Sequence, residues 1–120
     1  MAYFFDSYAI IEILNGNLPY LKFKEVKVVT GILNIGEVYH GMLKKNGKEA
    51  ADNWFNNFHF ELVEITPDVM VQSVYFRHIN RKNDISLADS VGYKLSLKHN
   101  LKFLTGDRQF ENMPNVEFVK

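Results

Sequence analysis

The chain has 120 residues, 47% of them hydrophobic and 14% aromatic, and its 14 basic residues balance its 14 acidic residues. These proportions support one folded domain with a hydrophobic core and exclude intrinsic disorder. The lack of cysteine excludes disulfide frameworks and thiolate–zinc sites. The balanced charge gives no overall basic signature of nucleic-acid binding, but it is compatible with a locally basic surface.

No apolar segment approaches the ~20 residues that a membrane-spanning helix needs. The N-terminal apolar stretch 1–5 meets Asp6 too early for a signal peptide. We therefore predict a cytoplasmic protein that forms a single domain over residues 1–120 and has no membrane contact.

Apolar runs and helical periodicity alternate along the chain, separated by glycine, proline and asparagine. In chain order, the pattern predicts strand 2–5, helix 7–14, strand 26–30, helix 33–45, helix 49–58, strand 60–65, helix 67–79, helix 86–98, strand 101–104, a short helix 107–111 and an edge strand 116–119. Strands that alternate with helices favour a three-layer α/β/α domain around a central parallel sheet of four to five strands.

Two acidic residues follow predicted strands directly. Asp6 ends the first strand, and Asp107 comes just after the fourth. Ligands of open parallel sheets bind at the carboxyl ends of the strands, so both residues are candidates for a functional site. Each also precedes a helical segment, and capping of that helix is the alternative interpretation.

Two further acids lie on predicted helices. Glu37 follows Gly36 in the middle of an amphipathic helix, where a solvent-facing side chain is the alternative to a functional one. Asp89 lies three residues after Ser86, a spacing typical of a capping box as well as of a site. We predict that Asp84 is the structural, capping acid of this segment.

Four ordered motifs resemble the PIN domain and, within that family, the compact VapC-type toxins. They are Phe4-Phe5-Asp6-Ser7, the Glu-Val-Tyr-x-Gly stretch at 37–41, the Ile-Ser-Leu-Ala-Asp-Ser stretch at 85–90, and Leu-Thr-Gly-Asp-Arg-Gln-Phe at 104–110. Their order and spacing are similar to those of the family over nearly the whole chain.

The resemblance implies a metal site built from four carboxylates, Asp6, Glu37, Asp89 and Asp107. Hard cations such as Mg²⁺ or Mn²⁺ take oxygen ligands and relieve the repulsion between carboxylates. A bound cation also activates water and stabilises charge on a scissile phosphate, so the implied activity is that of an endoribonuclease. Ser7 and Thr105 are expected either to orient a carboxylate or a water, or to serve only capping and turn formation.

The resemblance also implies partners: an RNA substrate, a small antitoxin protein and a second copy of the chain. The candidates for RNA contact are Arg108, which lies next to Asp107, and the basic residues Lys44 and Lys45. A second basic cluster, which contains Arg77, Arg81 and Lys82, is either a solvated surface or a further candidate for phosphate contacts. The interpretation as a homodimer also has a compositional basis, because adjacent aromatic residues on one helix cannot all face the core. The aromatic residues concerned are Tyr39, Trp54, Phe55, Phe58, Tyr75 and Phe76.

Other functions fit the same pattern. One is a PIN nuclease of RNA processing that has no antitoxin, and another is a non-catalytic PIN-like scaffold that binds RNA. A scaffold has no need to keep four mutually repelling acids, which counts against it. A receiver-type phosphoacceptor domain would need an acidic pair after its first strand, whereas this chain has a single acid there.

Overall fold

The computed structural model describes residues 2–120. Its strands are β1 (Tyr3–Phe5), β2 (Val29–Thr30), β3 (Glu61–Leu62), β4 (Lys102–Thr105) and β5 (Val116–Phe118). Its α-helices are α1 (Ser7–Leu14), α2 (Ile32–Asn46), α3 (Lys48–Asn57), α4 (Pro67–Ile79) and α5 (Leu87–Lys98). Two 3₁₀ segments, Leu18–Phe23 and Arg108–Phe110, complete the order.

The strands form one five-stranded sheet in the order β3-β2-β1-β4-β5, and every neighbouring pair is parallel. The central pair matches Phe4 with Phe103 and Phe5 with Leu104. Because all strands point the same way, their carboxyl ends share one edge of the sheet, which we call the carboxyl edge. The predicted parallel α/β/α architecture is therefore confirmed.

Helices cover both faces of the sheet because side chains alternate along each strand. Phe5 and Leu104 face a core built with α1, α2, α3 and the first 3₁₀ segment. Their neighbours Phe4 and Phe103 face a second core, built mainly with α4 and α5. Each of these four residues is fully buried, so the two central strands hold both halves of the domain together.

The second and third strands are shorter than predicted. The sequence pattern predicts strands at 26–30 and 60–65, but β2 and β3 each contain only two residues. Val26, Val28, Val63 and Ile65 still pack against the two cores. Their apolar pattern therefore reflects burial. Strand pairing between β2 and β3 is confined to two residues of each strand.

The segment between α1 and β2, for which the sequence pattern predicts no element, contains the 3₁₀ segment Leu18–Phe23. Tyr20 and Phe23 are buried in the first core, which explains why the segment is ordered. Among residues 2–120, no helix has both the length and the apolar character needed to cross a membrane.

Candidate functional site at the carboxyl edge

Asp6 follows β1 directly and takes the N-cap position of α1, but its side chain makes no capping hydrogen bond. The residue is 2% exposed. Thr105 Oγ1 donates to Asp6 Oδ2 at 2.7 Å, and Asp6 Oδ1 is buried without a hydrogen-bond partner. Helix capping therefore does not explain Asp6, and one buried carboxylate oxygen remains available to a ligand.

The electrostatic environment of Asp6 disfavours its charged form. Burial and, next, the charge of Asp89 raise the pKa of Asp6 to about 8, against the lowering effect of hydrogen bonds from Thr105 and the Ser7 backbone. The charge of Glu37 raises it further. A cation bound beside Asp6 would reverse this balance, because it favours the carboxylate over the acid.

Thr105 and Asp107 link the ends of β1 and β4. The Thr105 hydroxyl donates to Asp6 and accepts a hydrogen bond from the Asp107 backbone N–H at 3.1 Å. Asp107 Oδ1 accepts from the Gln109 N–H at 3.0 Å and so caps the short 3₁₀ segment. The capping interpretation therefore holds for Asp107, whose carboxylate still lies at the carboxyl edge.

Glu37 is held by a chain of hydrogen bonds that passes through Ser7, the residue after Asp6. Asn34 Nδ2 donates to Ser7 Oγ at 3.0 Å, and Ser7 Oγ donates to Glu37 Oε1 at 2.6 Å. Asn34 is 1% exposed, which is unusual for an asparagine in a helix. We did not predict a role for it, although its position three residues before Glu37, on the same helix face, was a usable signal.

Asp89 has a structural role as well as a place among the acids. Ser86 Oγ accepts from the Asp89 N–H at 3.1 Å, and Asp89 Oδ2 accepts from the Ser86 N–H at 3.3 Å, which completes a capping box at the start of α5. Burial raises the pKa of Asp89 to about 6 against these Ser86 hydrogen bonds, and the charges of Glu37 and Asp107 raise it further.

The prediction that Asp84 caps this helix is wrong. Ser86 is the N-cap residue, and Asp89 reaches back to it. Asp84 lies before the cap, with its side chain exposed. The capping box needs an acceptor three residues after the cap, and only Asp89 has that spacing.

The four predicted acids lie near one another at the carboxyl edge. Asp89 and Glu37 both influence the pKa of Asp6, and Glu37 and Asp107 both influence that of Asp89. Nevertheless, residues 2–120 contain no group of three or more histidine, aspartate or glutamate side chains already arranged to hold a metal ion. Each of the four carboxylates instead accepts a hydrogen bond from a neighbouring group, as described above.

The predicted RNA contacts differ in position. Arg108 is exposed beside Asp107, and its Nη1 lies 3.8 Å from Glu111 Oε1. Lys44 and Lys45 occupy the last turn of α2. They lie about 10–12 Å beyond Glu37 along the helix axis, toward the other edge of the sheet.

A basic residue that we did not predict, Lys120, lies at the carboxyl edge. Its Nζ is 3.4 Å from the Gly106 carbonyl oxygen and 5.2 Å from the ring centre of Tyr8. Only the parallel pairing of β5 with β4 brings it there, and sequence patterns do not reveal that pairing.

Cavity size does not locate this site. A cavity of about 560 Å³ lies near the amino ends of β2 and β3, lined by apolar residues of α1 and the segments before those strands. None of the four acids lines it. The chemistry of the carboxyl edge, with its buried unpartnered oxygen, is the stronger indication of function.

A parallel α/β/α fold with acidic residues converging at the carboxyl edge defines a recognisable class of domain. A sequence model of the PIN domain family matches residues 3–116, and the chain belongs to that family. No curated protein matches the chain in sequence.

Solved structures of toxins and toxin–antitoxin complexes share the fold. VapC20 of Mycobacterium tuberculosis, a sarcin-ricin loop cleaving toxin, is 15% identical and superposes with a TM-score of 0.81 over 99% of this chain and 100% of its own. VapBC2 of Rickettsia felis, bound to a promoter DNA fragment, is 16% identical, with a TM-score of 0.76 over 98% and 97%. A toxin–antitoxin complex from Klebsiella pneumoniae is 19% identical, with a TM-score of 0.73 over 97% and 96%. At these identities the likeness concerns the fold.

Proposed function

We propose that the chain is a divalent-metal-dependent endoribonuclease and the toxin of a VapBC-type pair. The observation that carries the proposal is the buried Asp6 Oδ1, which has no hydrogen-bond partner although the charges of nearby acids surround it. A buried oxygen without a partner is costly, and a bound ligand would remove that cost.

The cation would be held by Asp6, Glu37, Asp89 and Asp107. Their oxygen atoms suit Mg²⁺ or Mn²⁺, which prefer hard oxygen ligands. When bound, such a cation lowers the pKa of water and stabilises negative charge on a phosphate. The membership of the PIN family and the likeness to VapC20 support this assignment.

The surrounding polar side chains would orient the ligands. Thr105 holds one oxygen of Asp6, and Ser7, itself fixed by Asn34, holds one oxygen of Glu37. Because these hydrogen bonds already restrict the rotamers of Asp6 and Glu37, they reduce the side-chain entropy that is lost when the carboxylates bind a cation. Arg108 would contribute charge toward the RNA backbone beside Asp107.

We also propose an antitoxin and a homodimer as partners, and the cytoplasm, where RNA is found, as the location. The structures of VapBC2 and the Klebsiella pneumoniae complex support the antitoxin. A short neighbouring reading frame that encodes a DNA-binding N-terminus would favour it further. Without such a frame, an RNA-processing nuclease becomes the better interpretation.

The surface of α4 supports the homodimer. Val71, Tyr75 and Ile79 are 55–70% exposed and recur every four residues along one face of the helix. Of the aromatic residues on the predicted helices, Tyr75 and Phe55 are exposed, while Trp54 is buried and Phe76 packs against Tyr93. An apolar face of this kind is self-complementary when two copies meet about a twofold axis.

Replacement of Asp6 tests the proposed function directly. We expect Asp6→Asn to lose at least about a hundredfold in Mn²⁺-dependent cleavage of single-stranded RNA, because it removes the charge that the cation needs. The matched control is Asp68→Asn, which makes the same change at an exposed position on α4 and should cleave normally. Cleavage by Asp6→Asn at the unsubstituted rate, or cleavage that EDTA does not suppress, would contradict the proposal.

A further inference from the structure

A second concave site lies beside the acidic residues, between the C-terminal end of α4 and the loop that leads into α5. This basic pocket has a volume of about 480 Å³. Its polar lining comes from Arg77, His78, Arg81, Asn83 and Asp84, and Leu87 forms part of its wall. The proposed metal site uses none of these residues.

Both arginines of the basic pocket are held in place by backbone carbonyl groups. Arg77 Nε donates to the oxygen of buried Ile85 at 3.0 Å, and Arg81 Nη1 donates to the oxygen of His78 at 3.0 Å. A guanidinium has five N–H donors, so each retains donors for a ligand. Among residues 2–120, neither arginine forms a salt bridge, and this includes Asp84 in the same lining.

The fold places the basic pocket at the carboxyl edge. Helices α4 and α5 run antiparallel, since Lys98 near the end of α5 meets Thr66 at the start of α4, while Arg77 meets Ile85 at the other end. Leu87 is the first residue of α5 and precedes Asp89 by two positions. This separation is only about 3 Å along the helix axis.

We propose that the basic pocket binds a backbone phosphate of the RNA substrate, outside the linkage that is cut. The inference rests on the proposed nuclease function. Two guanidinium groups, each bonded to one backbone carbonyl and neither paired with a carboxylate, present further N–H donors in the fork geometry with which arginine binds phosphate. Because the pocket shares the first turn of α5 with Asp89, a phosphate held there fixes the RNA strand relative to the acids. Such a contact positions the strand and reads no sequence.

The test measures RNA binding separately from RNA cleavage. In the Asp6→Asn background, binding of a labelled single-stranded RNA is followed by fluorescence anisotropy over a series of salt concentrations. We expect the double substitution Arg77→Gln and Arg81→Gln to weaken binding by about tenfold or more. The slope of log affinity against log salt should fall by about 0.7, the value for one phosphate contact on a single strand.

The matched control removes the same charge at the opposite edge of the sheet. Lys24→Gln with Lys27→Gln alters two exposed cations beside the larger cavity and should leave both the affinity and the salt slope unchanged. Equal weakening by both double variants would show a general charge effect and overturn the inference. Binding of a labelled acidic peptide can be measured in the same way. If the two arginine substitutions weaken peptide binding but leave RNA affinity unaffected, the pocket binds a protein segment, and the inference is overturned.

Arg81→Gln alone leaves the Arg77–Ile85 bond intact, covers the case in which loss of that bond prevents folding, and should weaken RNA binding by a smaller factor. A further double variant separates charge from geometry. Arg77→Lys with Arg81→Lys keeps the charge but loses the fork, and we expect intermediate affinity with a nearly normal salt slope. If neither the glutamine nor the lysine double variant at Arg77 and Arg81 changes the RNA affinity, while the unsubstituted protein cleaves RNA, the proposal for the pocket alone is overturned. An unsubstituted protein that neither binds nor cleaves RNA overturns the nuclease proposal together with it.

Discussion

At the scale of single residues, Asp6 is the most informative position in the chain. It is buried, one of its oxygens is held by Thr105, and the other has no partner. Its pKa of about 8 means that the folded protein keeps a proton which the unfolded chain releases near pH 4. Without a cation, folding is therefore coupled to proton uptake.

This coupling predicts how stability depends on pH in the presence of EDTA. Because the pKa of Asp6 is raised on folding, its contribution to stability is complete below about pH 4 and is lost as the pH rises toward 8. The loss is at most about 1.4 kcal/mol per pH unit for one group, and Asp89 adds to it up to about pH 6. We expect urea unfolding of Asp6→Asn to show a shallower decline. Parallel curves for the two proteins would contradict the buried, protonated state of Asp6.

The capping box allows the structural and functional roles of Asp89 to be separated. Ser86→Ala removes the cap that accepts the Asp89 N–H and should cost about 1 kcal/mol, with most activity per folded molecule retained. Asp89→Ala should lose a similar stability but nearly all metal-dependent cleavage. Asp84→Ala should leave stability unchanged, because Asp84 is not the cap. If Ser86→Ala and Asp89→Ala reduce activity equally, capping is the whole role of Asp89.

Single residues also show where sequence reasoning stops. The alternation of strands and helices places Asp6 and Asp107 at one edge without any knowledge of contacts. The bridge from Asn34 through Ser7 to Glu37 depends on how α1 and α2 pack, and the place of Lys120 depends on which strand β5 joins. Long-range packing and strand order of this kind leave no local periodicity to detect.

At the scale of elements, propensity and capping identify most helices correctly. Thr66 caps α4 and Pro67 begins it, as their sequence predicts. The short strands β2 and β3 were harder to delimit, because apolar residues beside them are buried without being paired. Burial and strand pairing produce the same hydrophobic pattern in the sequence. Only the backbone hydrogen bonds of the folded sheet show which of these residues are paired.

The junction after β4 depends on the small size of Gly106. A Cβ atom added there would lie 2.4 Å from the Val119 carbonyl oxygen and 2.4 Å from the Tyr8 ring. We expect Gly106→Ala to cost about 1–3 kcal/mol and to displace the neighbouring Asp107, which reduces cleavage. Unfolding and activity measurements together would show this, and a fully active and stable variant would contradict it.

The matched control for this substitution lies in α2. A Cβ atom at Gly36 would have no neighbour within 4 Å, although the residue directly precedes Glu37. Gly36→Ala should therefore stabilise the protein by about 0.5–1 kcal/mol through helix propensity. A loss of stability at Gly36 comparable to that at Gly106 would show that close packing is not the distinguishing feature.

At the scale of the whole molecule, the exposed face of α4 predicts the oligomeric state. Light scattering after size exclusion should give twice the 14.0 kDa mass of the chain at micromolar concentration. Val71→Glu with Tyr75→Glu should convert the dimer to a monomer, because charges cannot be buried unpaired in an apolar interface. Leu18→Glu with Leu21→Glu, at another exposed apolar site, should leave the mass unchanged. A monomeric unsubstituted protein would contradict the dimer.

The pairing of β1 with β4 also has a consequence for the synthesis of the protein. The hydrogen bond between Thr105 and Asp6 joins residues that are 99 positions apart in the chain. At about 5–20 residues per second, a ribosome needs roughly 5–20 s after it makes the first of them to make the second. During that interval the growing chain carries its first acid without the strand that completes the site, so the proposed site at the carboxyl edge cannot form until β4 has left the ribosome.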